Sequence, residues 1–292
     1  MENNSIIVIA GPTGVGKTKL SVELAKKLNG EIINADSMQF YKDLDIGTAK
    51  IRDDEKEGIK HHLFDIVEVN DMYTIFDYQR DCRRVIEDIL KRGKRPIMVG
   101  GSGLYIRAAL YDYNLLFEDS KHDFSDLTDE ELYNKCREYD KDLDIHINNR
   151  KRLERYLNKQ LNNESFCNDS KPIYDFILVG LTTDRNKLYD IINKRVDKMV
   201  NDGLIEEVKA FYDSNIRSKA ILTGIGYKEL YSYFDNKISL EEAIDLIKKN
   251  SRHLAKRQYT FFNNQFDKIK WFNTNYENYN ETVNDVYLYI EG

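Results

Sequence analysis

The chain opens with a group of residues built to hold phosphate. Gly11-Pro12-Thr13-Gly14-Val15-Gly16-Lys17-Thr18 fits the pattern G-x-x-x-x-G-K-[ST]. Glycines in such a loop let the backbone turn successive N–H groups inward around phosphate oxygens. The helix that follows adds about half a positive charge at its N-terminus. Lys17 supplies a point charge, and the Thr18 hydroxyl is a ligand suited to Mg²⁺. Phosphate loops of this kind are usual in nucleotide-binding, ATP-binding proteins. ATP-hydrolysing members commonly end a later strand with an acid that helps hold Mg²⁺. The candidate strand 95–99 runs instead into Gly100-Gly101-Ser102, with no carboxylate, so the loop is suited to a diphosphate without any nucleoside triphosphate chemistry.

Three further residues have the right chemistry. Asp36 and Ser102 each follow a predicted strand, where ligands of α/β proteins bind. An ionised Asp36 can accept a proton or hold Mg²⁺ through water, or it can merely cap the next segment. Ser102 can face the phosphate or cap a turn or helix. Arg195 lies against the apolar stripe of Leu188, Ile191, Ile192, Val196 and Met199. Its guanidinium either meets a buried anion or reaches out to water, and the residue pattern alone favours water.

The elements that must position these groups are legible. Residues 5–10 form a β-branched run ended by Gly11-Pro12, the pattern of a buried parallel strand. Residues 19–28 carry Leu20, Leu24 and Leu28 at helical spacing. A strand over 31–35, a helix over 76–91 and the strand 95–99 complete the order of a doubly wound parallel α/β sheet. After Tyr113 this rhythm stops, and from 118 to 144 acids outnumber bases by more than two to one. Residues 112–171 therefore read as a mostly helical insertion that separates a first core segment, 1–111, from a second, 172–292. Within the second, a strand over 175–181, one long helix over 187–212, further helices to about 262 and a closing strand over 268–272 are predicted. Only an Asn/Tyr-rich tail is read near 273–280.

Composition narrows the class. With 41% hydrophobic and 32% charged residues the chain is an ordinary globular one. A net charge of −6 excludes a uniformly basic surface but not local basic patches. Two such patches occur, at 150–159 and at 248–257, the second with five Lys or Arg and no acid. Cys82, Cys136 and Cys167 are far apart with no CxxC pair, which argues against a disulfide framework and suits a reducing cytoplasm. No apolar run reaches membrane-spanning length, and the N-terminus lacks a basic signal-peptide region. His61-His62 is no metal site, because adjacent side chains point apart.

Six segments carry a resemblance. In order they are GPTGVGKT, DSMQFYKDLDIGTAK from Asp36, HHLFD from His61, GGSGLYI from Gly100, GYKEL from Gly226 and AKRQ from Ala255. Together they resemble the bacterial tRNA dimethylallyltransferases, also called tRNA isopentenyltransferases, over nearly the whole chain. The resemblance implies a P-loop kinase-like core, Mg²⁺, and transfer of a dimethylallyl group from dimethylallyl diphosphate to a tRNA adenosine in the anticodon stem-loop. The acceptor is N6 of the adenosine just 3′ of the anticodon. It makes Asp36 the general base and assigns the phosphate loop, Ser102 and Arg195 to the diphosphate, which reverses the preference for an Arg195 that reaches to water. It places Asp36, Ser37, Met38 and Gln39 beside the target base. Lys151, Arg152, Leu153, Glu154 and Arg155, with Gly226, Tyr227 and Lys228, match regions that contact tRNA. A cytoplasmic monomer with no membrane attachment is expected. The chain departs from the common pattern at Ser102 (usually Thr), at Ile147 within His146-Ile147-Asn148 (usually Pro), at Thr223 (often Gln or Arg) and at Phe261 (often Trp). The competing readings are an isopentenyltransferase for free adenine nucleotides, a small-molecule P-loop kinase and a non-catalytic RNA-binding protein.

Overall fold

A computed structural model describes residues 5–112, 122–162 and 171–292. Cys167 and residues 118–121 of the acidic stretch lie outside them. The chain divides into two compact units, Met1–Tyr111 with Pro172–Gly292, and Asp112–Lys171.

The larger unit is built on six parallel strands: β1 (Ile6–Ala10), β2 (Gly30–Asn34), β3 (His61–His62), β4 (Arg95–Val99), β5 (Phe176–Thr182) and β6 (Ile269–Asn273), in the order β3-β2-β4-β1-β5-β6. Alternation along β1 sends Ile7 and Ile9 to one face and Ile6, Val8 and Ala10 to the other, so each face has its own apolar cluster. Helices α1 (Lys17–Lys27), α2 (Ile75–Lys91) and α3 (Gly103–Leu110) follow β1, β3 and β4. Leu20 and Leu24 of α1 are buried on the first face, and Tyr78, Cys82, Ile86 and Ile89 of α2 on the second. The start of α2 is fixed by a capping box in which Asp77 N donates to Thr74 Oγ1 (3.2 Å) and Thr74 N donates to Asp77 Oδ2 (3.0 Å). Such a cap contributes about 1 kcal/mol. The sheet with helices on both faces is the α/β architecture expected from the sequence.

In the smaller unit, α4 (Asp129–Tyr139) and α5 (Arg150–Leu161) pack through Leu132, Cys136, Leu153 and Leu157. The larger unit continues with α6 (Arg185–Asn201), α7 (Leu204–Asp213), α8 (Lys219–Thr223), α9 (Tyr227–Phe234), α10 (Leu240–Gln265) and α11 (Tyr279–Glu291). Helices α6 to α10 share a further apolar cluster around Val196, Leu204, Val208, Tyr227, Leu230 and Ile247.

Two expectations need correction. The single helix predicted over 187–212 is two helices, because Gly203 between them has φ 107°, a conformation no α-helix contains. The Asn/Tyr-rich tail leads into α11, whose Val283, Val286 and Ile290 are buried against the first face of the sheet.

Candidate active site

The phosphate loop leaves the carboxyl end of β1 and enters α1 at Gly16. Gly14 and Gly16 have φ of 89° and 93°, which is what lets the loop curl its amides to one side. Pro12 has no N–H to offer; its carbonyl accepts from Lys17 Nζ at 2.7 Å. Val15 is buried in the core, so only its amide is available to a ligand. Burial pulls the Lys17 ammonium down to about 7, with the charge of Asp36 opposing the shift and that of Arg195 adding to it.

A residue to which the sequence assigned no role organises the loop from outside. Gln258, the last of AKRQ, accepts from Thr13 N at 3.1 Å and donates from Nε2 to Gly101 O at 3.2 Å. It ties the turn after β1 to the turn after β4.

Asp36 stands two residues beyond β2, on a turn held by buried Asn34. Asn34 Oδ1 accepts from Asp36 N (2.9 Å), and its Nδ2 donates to the carbonyls of Leu63 (2.9 Å) and Asp36 (3.2 Å). Asp36 Oδ1 accepts from Met38 N at 3.1 Å, while Oδ2 has no partner among the described residues. Capping of the next segment thus engages one oxygen and leaves the other for chemistry. Ser102 sits at the N-cap of α3, yet its hydroxyl does not cap the helix. It accepts from Ser37 N at 3.2 Å, joining the ends of β2 and β4.

Arg195 lines the same cavity as Lys17, Thr18, Asp36 and Ser102. It forms no ion pair among the described residues; its one hydrogen bond is a long one, from Nη2 to Thr48 O at 3.5 Å. Burial lowers its pKa, and the charge of Asp36 resists. The cavity holds about 930 Å³, and the described residues that line it belong to the larger unit, Ser37, Met38, Gln39, Gly226, Tyr227 and Lys228 included.

The loop 44–50 owes its shape to one carboxylate. Glu207 of α7 accepts from the amides of Asp45 (3.1 Å), Ile46 (2.7 Å) and Gly47 (3.1 Å), and from Tyr227 Oη (2.6 Å). Lys50, nearly buried, donates to Tyr41 O (2.9 Å) and pairs with Asp45 (2.6 Å). Gln39 Nε2 donates to Thr48 O at 3.0 Å. The specific DIGTAK signature is thus largely a set of internal ties that hold the cavity wall.

Residues matched to tRNA contacts separate by burial. Lys151, Arg152 and Arg155 are exposed on α5 and form no ion pair among the described residues. Glu154 pairs with Arg150 at 2.8 Å. Leu153 is core of the smaller unit, and Tyr227 is fully buried with its hydroxyl committed to Glu207. Neither therefore presents its side chain to bulk solvent. His61 and His62 also serve the fold: His61 Nδ1 bonds Ile59 O (2.8 Å) and His62 Nε2 bonds Glu31 (2.7 Å).

Comparison with known proteins identifies the family. The family model described as IPP transferase matches residues 39–265. The tRNA dimethylallyltransferase of Anoxybacillus flavithermus is 46% identical, over 98% of this chain and 96% of its own. That of Geobacillus thermodenitrificans is 45% identical, with the same coverage of both chains. The solved tRNA isopentenylpyrophosphate transferase of Bacillus halodurans has a TM-score of 0.77 and 39% identity, covering 99% of this chain and 97% of that one. A eukaryotic dimethylallyltransferase solved acting on tRNA has a TM-score of 0.82 and 29% identity, covering 98% of this chain and 78% of its own. Similarity of this extent, in sequence and in structure, makes the chain a member of the IPP transferase family, the tRNA dimethylallyltransferases or tRNA isopentenyltransferases.

Proposed function

We propose that the protein transfers the dimethylallyl group of dimethylallyl diphosphate to N6 of the tRNA adenosine just 3′ of the anticodon, releasing diphosphate. The observation that carries this reading is a cavity with a phosphate loop and two basic side chains, Lys17 and Arg195, neither in an ion pair among the described residues, beside an Asp36 oxygen that has no partner among those residues. A highly charged diphosphate leaving group and a neutral amine that must lose a proton answer those two features.

In the reaction the allylic carbon–oxygen bond breaks and its electron pair leaves on the diphosphate. The loop amides, Lys17, Arg195 and the Ser102 hydroxyl meet that charge as it grows. The N6 lone pair forms the new carbon–nitrogen bond, and the N6 proton passes to Asp36. The Thr18 hydroxyl has no partner among the described residues and Thr18 lines the cavity, so it fits a Mg²⁺ ligand. Among the described residues no cluster of three His, Cys, Asp or Glu is available, so the cation must take most of its oxygens from the diphosphate and water. When bound, Mg²⁺ supplies further neutralisation of the leaving group. Lys151, Arg152 and Arg155 supply phosphate-backbone contacts to tRNA. Cys82 and Cys136 are buried free thiols, pushed up to about 12 and about 11 by burial, which fits a reducing cytoplasm.

The test is labelled dimethylallyl diphosphate offered with Mg²⁺ and either tRNA or free AMP. Label is expected in tRNA and not in AMP, with ATP neither required nor hydrolysed. Label in AMP, or ATP hydrolysis stimulated by tRNA, would replace this reading with one of its rivals. In the same assay the paired change Arg152→Ala, Arg155→Ala should raise the KM for tRNA and flatten its salt dependence, sparing the donor KM. Parallel salt curves at wild-type affinity would remove these arginines from the interface.

Lys17 gives a second check. Above about 7 the free protein carries Lys17 mostly neutral, and a bound diphosphate restores the charge. About one pH unit above that value, donor binding should take up close to one proton, and affinity should fall as pH rises further. Calorimetry in buffers of different ionisation enthalpy measures the uptake, which Lys17→Met should abolish. Equal uptake by wild type and variant would exclude Lys17 as its source.

A further inference from the structure

A phosphate loop that points its amides inward must point the carbonyls of the same peptide units away from the anion, where they need donors of their own. Here three successive loop carbonyls receive side-chain hydroxyls from one short segment. Tyr276 Oη donates to Gly14 O (3.4 Å), Thr274 Oγ1 to Val15 O (2.9 Å) and Tyr279 Oη to Gly16 O (2.7 Å). We propose that Thr274, Tyr276 and Tyr279 are positioning residues that hold the phosphate loop in its diphosphate-receiving shape. The inference rests on the reading that this loop receives the donor's diphosphate.

The segment is rigid enough for that task. Thr274 is buried, and its N–H donates to Thr182 O (2.8 Å), extending the β5–β6 pairing by one residue. Asn275 Oδ1 accepts from the amides of Glu277 (3.0 Å) and Asn278 (2.9 Å), and Asn275 N donates to Thr282 Oγ1 (2.8 Å). The Tyr279 ring lies so close beneath the loop that a Cβ on Gly16 would come within 2.9 Å of it. Lys19 Nζ sits 4.8 Å from the centre of the same ring, on the first turn of α1. Both halves of this contact, 14–16 and 274–279, fall outside the span matched by the family model.

With the carbonyls held outward, the amides are aimed before the donor arrives, and binding spends little on ordering the loop. Remove a hydroxyl and its carbonyl is held less firmly away from the anion, which it would repel; Gly16 O keeps a second donor, Leu20 N of α1 at 3.1 Å, and is loosened rather than freed. The Tyr279 bond is the shortest of the three and Thr274 the most buried, so these two changes should matter most.

The experiment compares Tyr279→Phe, Thr274→Val and Thr274→Ser with wild type, using inorganic diphosphate as the binding probe and steady-state transfer to tRNA as the second readout. Tyr279→Phe and Thr274→Val should each weaken diphosphate binding by about 3- to 10-fold, as expected for one lost hydrogen bond. The donor KM should rise by the same factor, with the tRNA KM and Tm unchanged. Thr274→Ser, which keeps the hydroxyl, should behave as wild type. Diphosphate affinity equal to wild type in both hydroxyl-deleted variants overturns the inference and leaves the proposed function standing. A loss of Tm with a matching rise in the tRNA KM also overturns it, because that is the mark of a merely structural role. Wild-type protein that does not hold inorganic diphosphate overturns both this inference and the reading of the site on which it rests.

Discussion

Asp36→Ala is expected to lower single-turnover prenyl transfer by roughly 10²–10⁴-fold, the usual worth of a general base, with tRNA binding largely retained. The geometry makes the residue hard to replace. Oδ1 is fixed by the Met38 amide, so Oδ2 is held in one place with a lone pair unspent. The turn beneath it is pinned by Asn34, whose carbonyl in turn accepts from the buried Tyr78 hydroxyl at 3.0 Å. Asp36→Asn keeps that shape and removes the basicity, so it should be nearly as slow. One coupling must be separated out. Asp36 holds the Lys17 ammonium up, so either variant lets Lys17 fall below its value of about 7 and weakens donor binding at neutral pH. Rates are therefore compared at saturating donor and about one pH unit lower. Near-normal single-turnover rates in both variants would end the assignment.

Arg195→Ala should lower kcat/KM for the donor by roughly 10²–10³-fold, the loss typical of one preorganised group facing transition-state charge. Leu188, Ile192 and Val196 bury the apolar face of α6, and Arg195 is carried into the cavity where, among the described residues, no carboxylate forms an ion pair with it. A cation left in that state is stabilised by an arriving anion more than a paired one would be. Arg195→Lys should recover only part of the loss, because an ammonium cannot reproduce the planar fork of donors. Ser102→Ala should cost less, since its bond to the diphosphate is not charged on the protein side. The affinity for tRNA should stay at the wild-type value in all three. If Arg195→Ala abolished tRNA binding and kept the donor constant, the arginine would belong to the RNA and not to the diphosphate.

What could be read from the sequence was what is encoded locally. A β-branched run stopped by Gly11-Pro12 and resumed by leucines at helical spacing defines β1, the phosphate loop and α1 with no distant information. Asp36 and Ser102 were legible because strand ends are where this architecture places ligands. Helices α6 and α7 were read as one because Leu204 and Val208 continue an apolar pattern past residue 203, and only a positive φ at Gly203 separates them. The buried positions of α11 are few and lie among Asn and Tyr, so its periodicity was faint. Glu207 and Gln258 act on loops 160 and 245 residues away, and nothing in the residues beside them announces such partners. Arg195 shows the same limit. Its neighbours in sequence favoured solvent, and the cavity that receives it exists only after β1, β2 and α6 have come together.

The boundary of the smaller unit bears on how such a protein changes over generations. Tyr111 and Pro172 form an antiparallel bridge, and Ile173 N donates to Leu110 O at 2.9 Å, so the chain leaves the larger unit and re-enters it at one point. The described residues that line the cavity belong to 1–111 and 172–292. Residues 112–171 are in that sense a cassette: heredity can lengthen it, trim it or redraw its charge without a compensating change in the chemistry-bearing walls. Each doubling of such an excursion costs only about 0.6 kcal/mol in closure entropy. A lineage can therefore adjust one portion of its sequence under one selective pressure while the ancestral phosphate-holding frame stays under another.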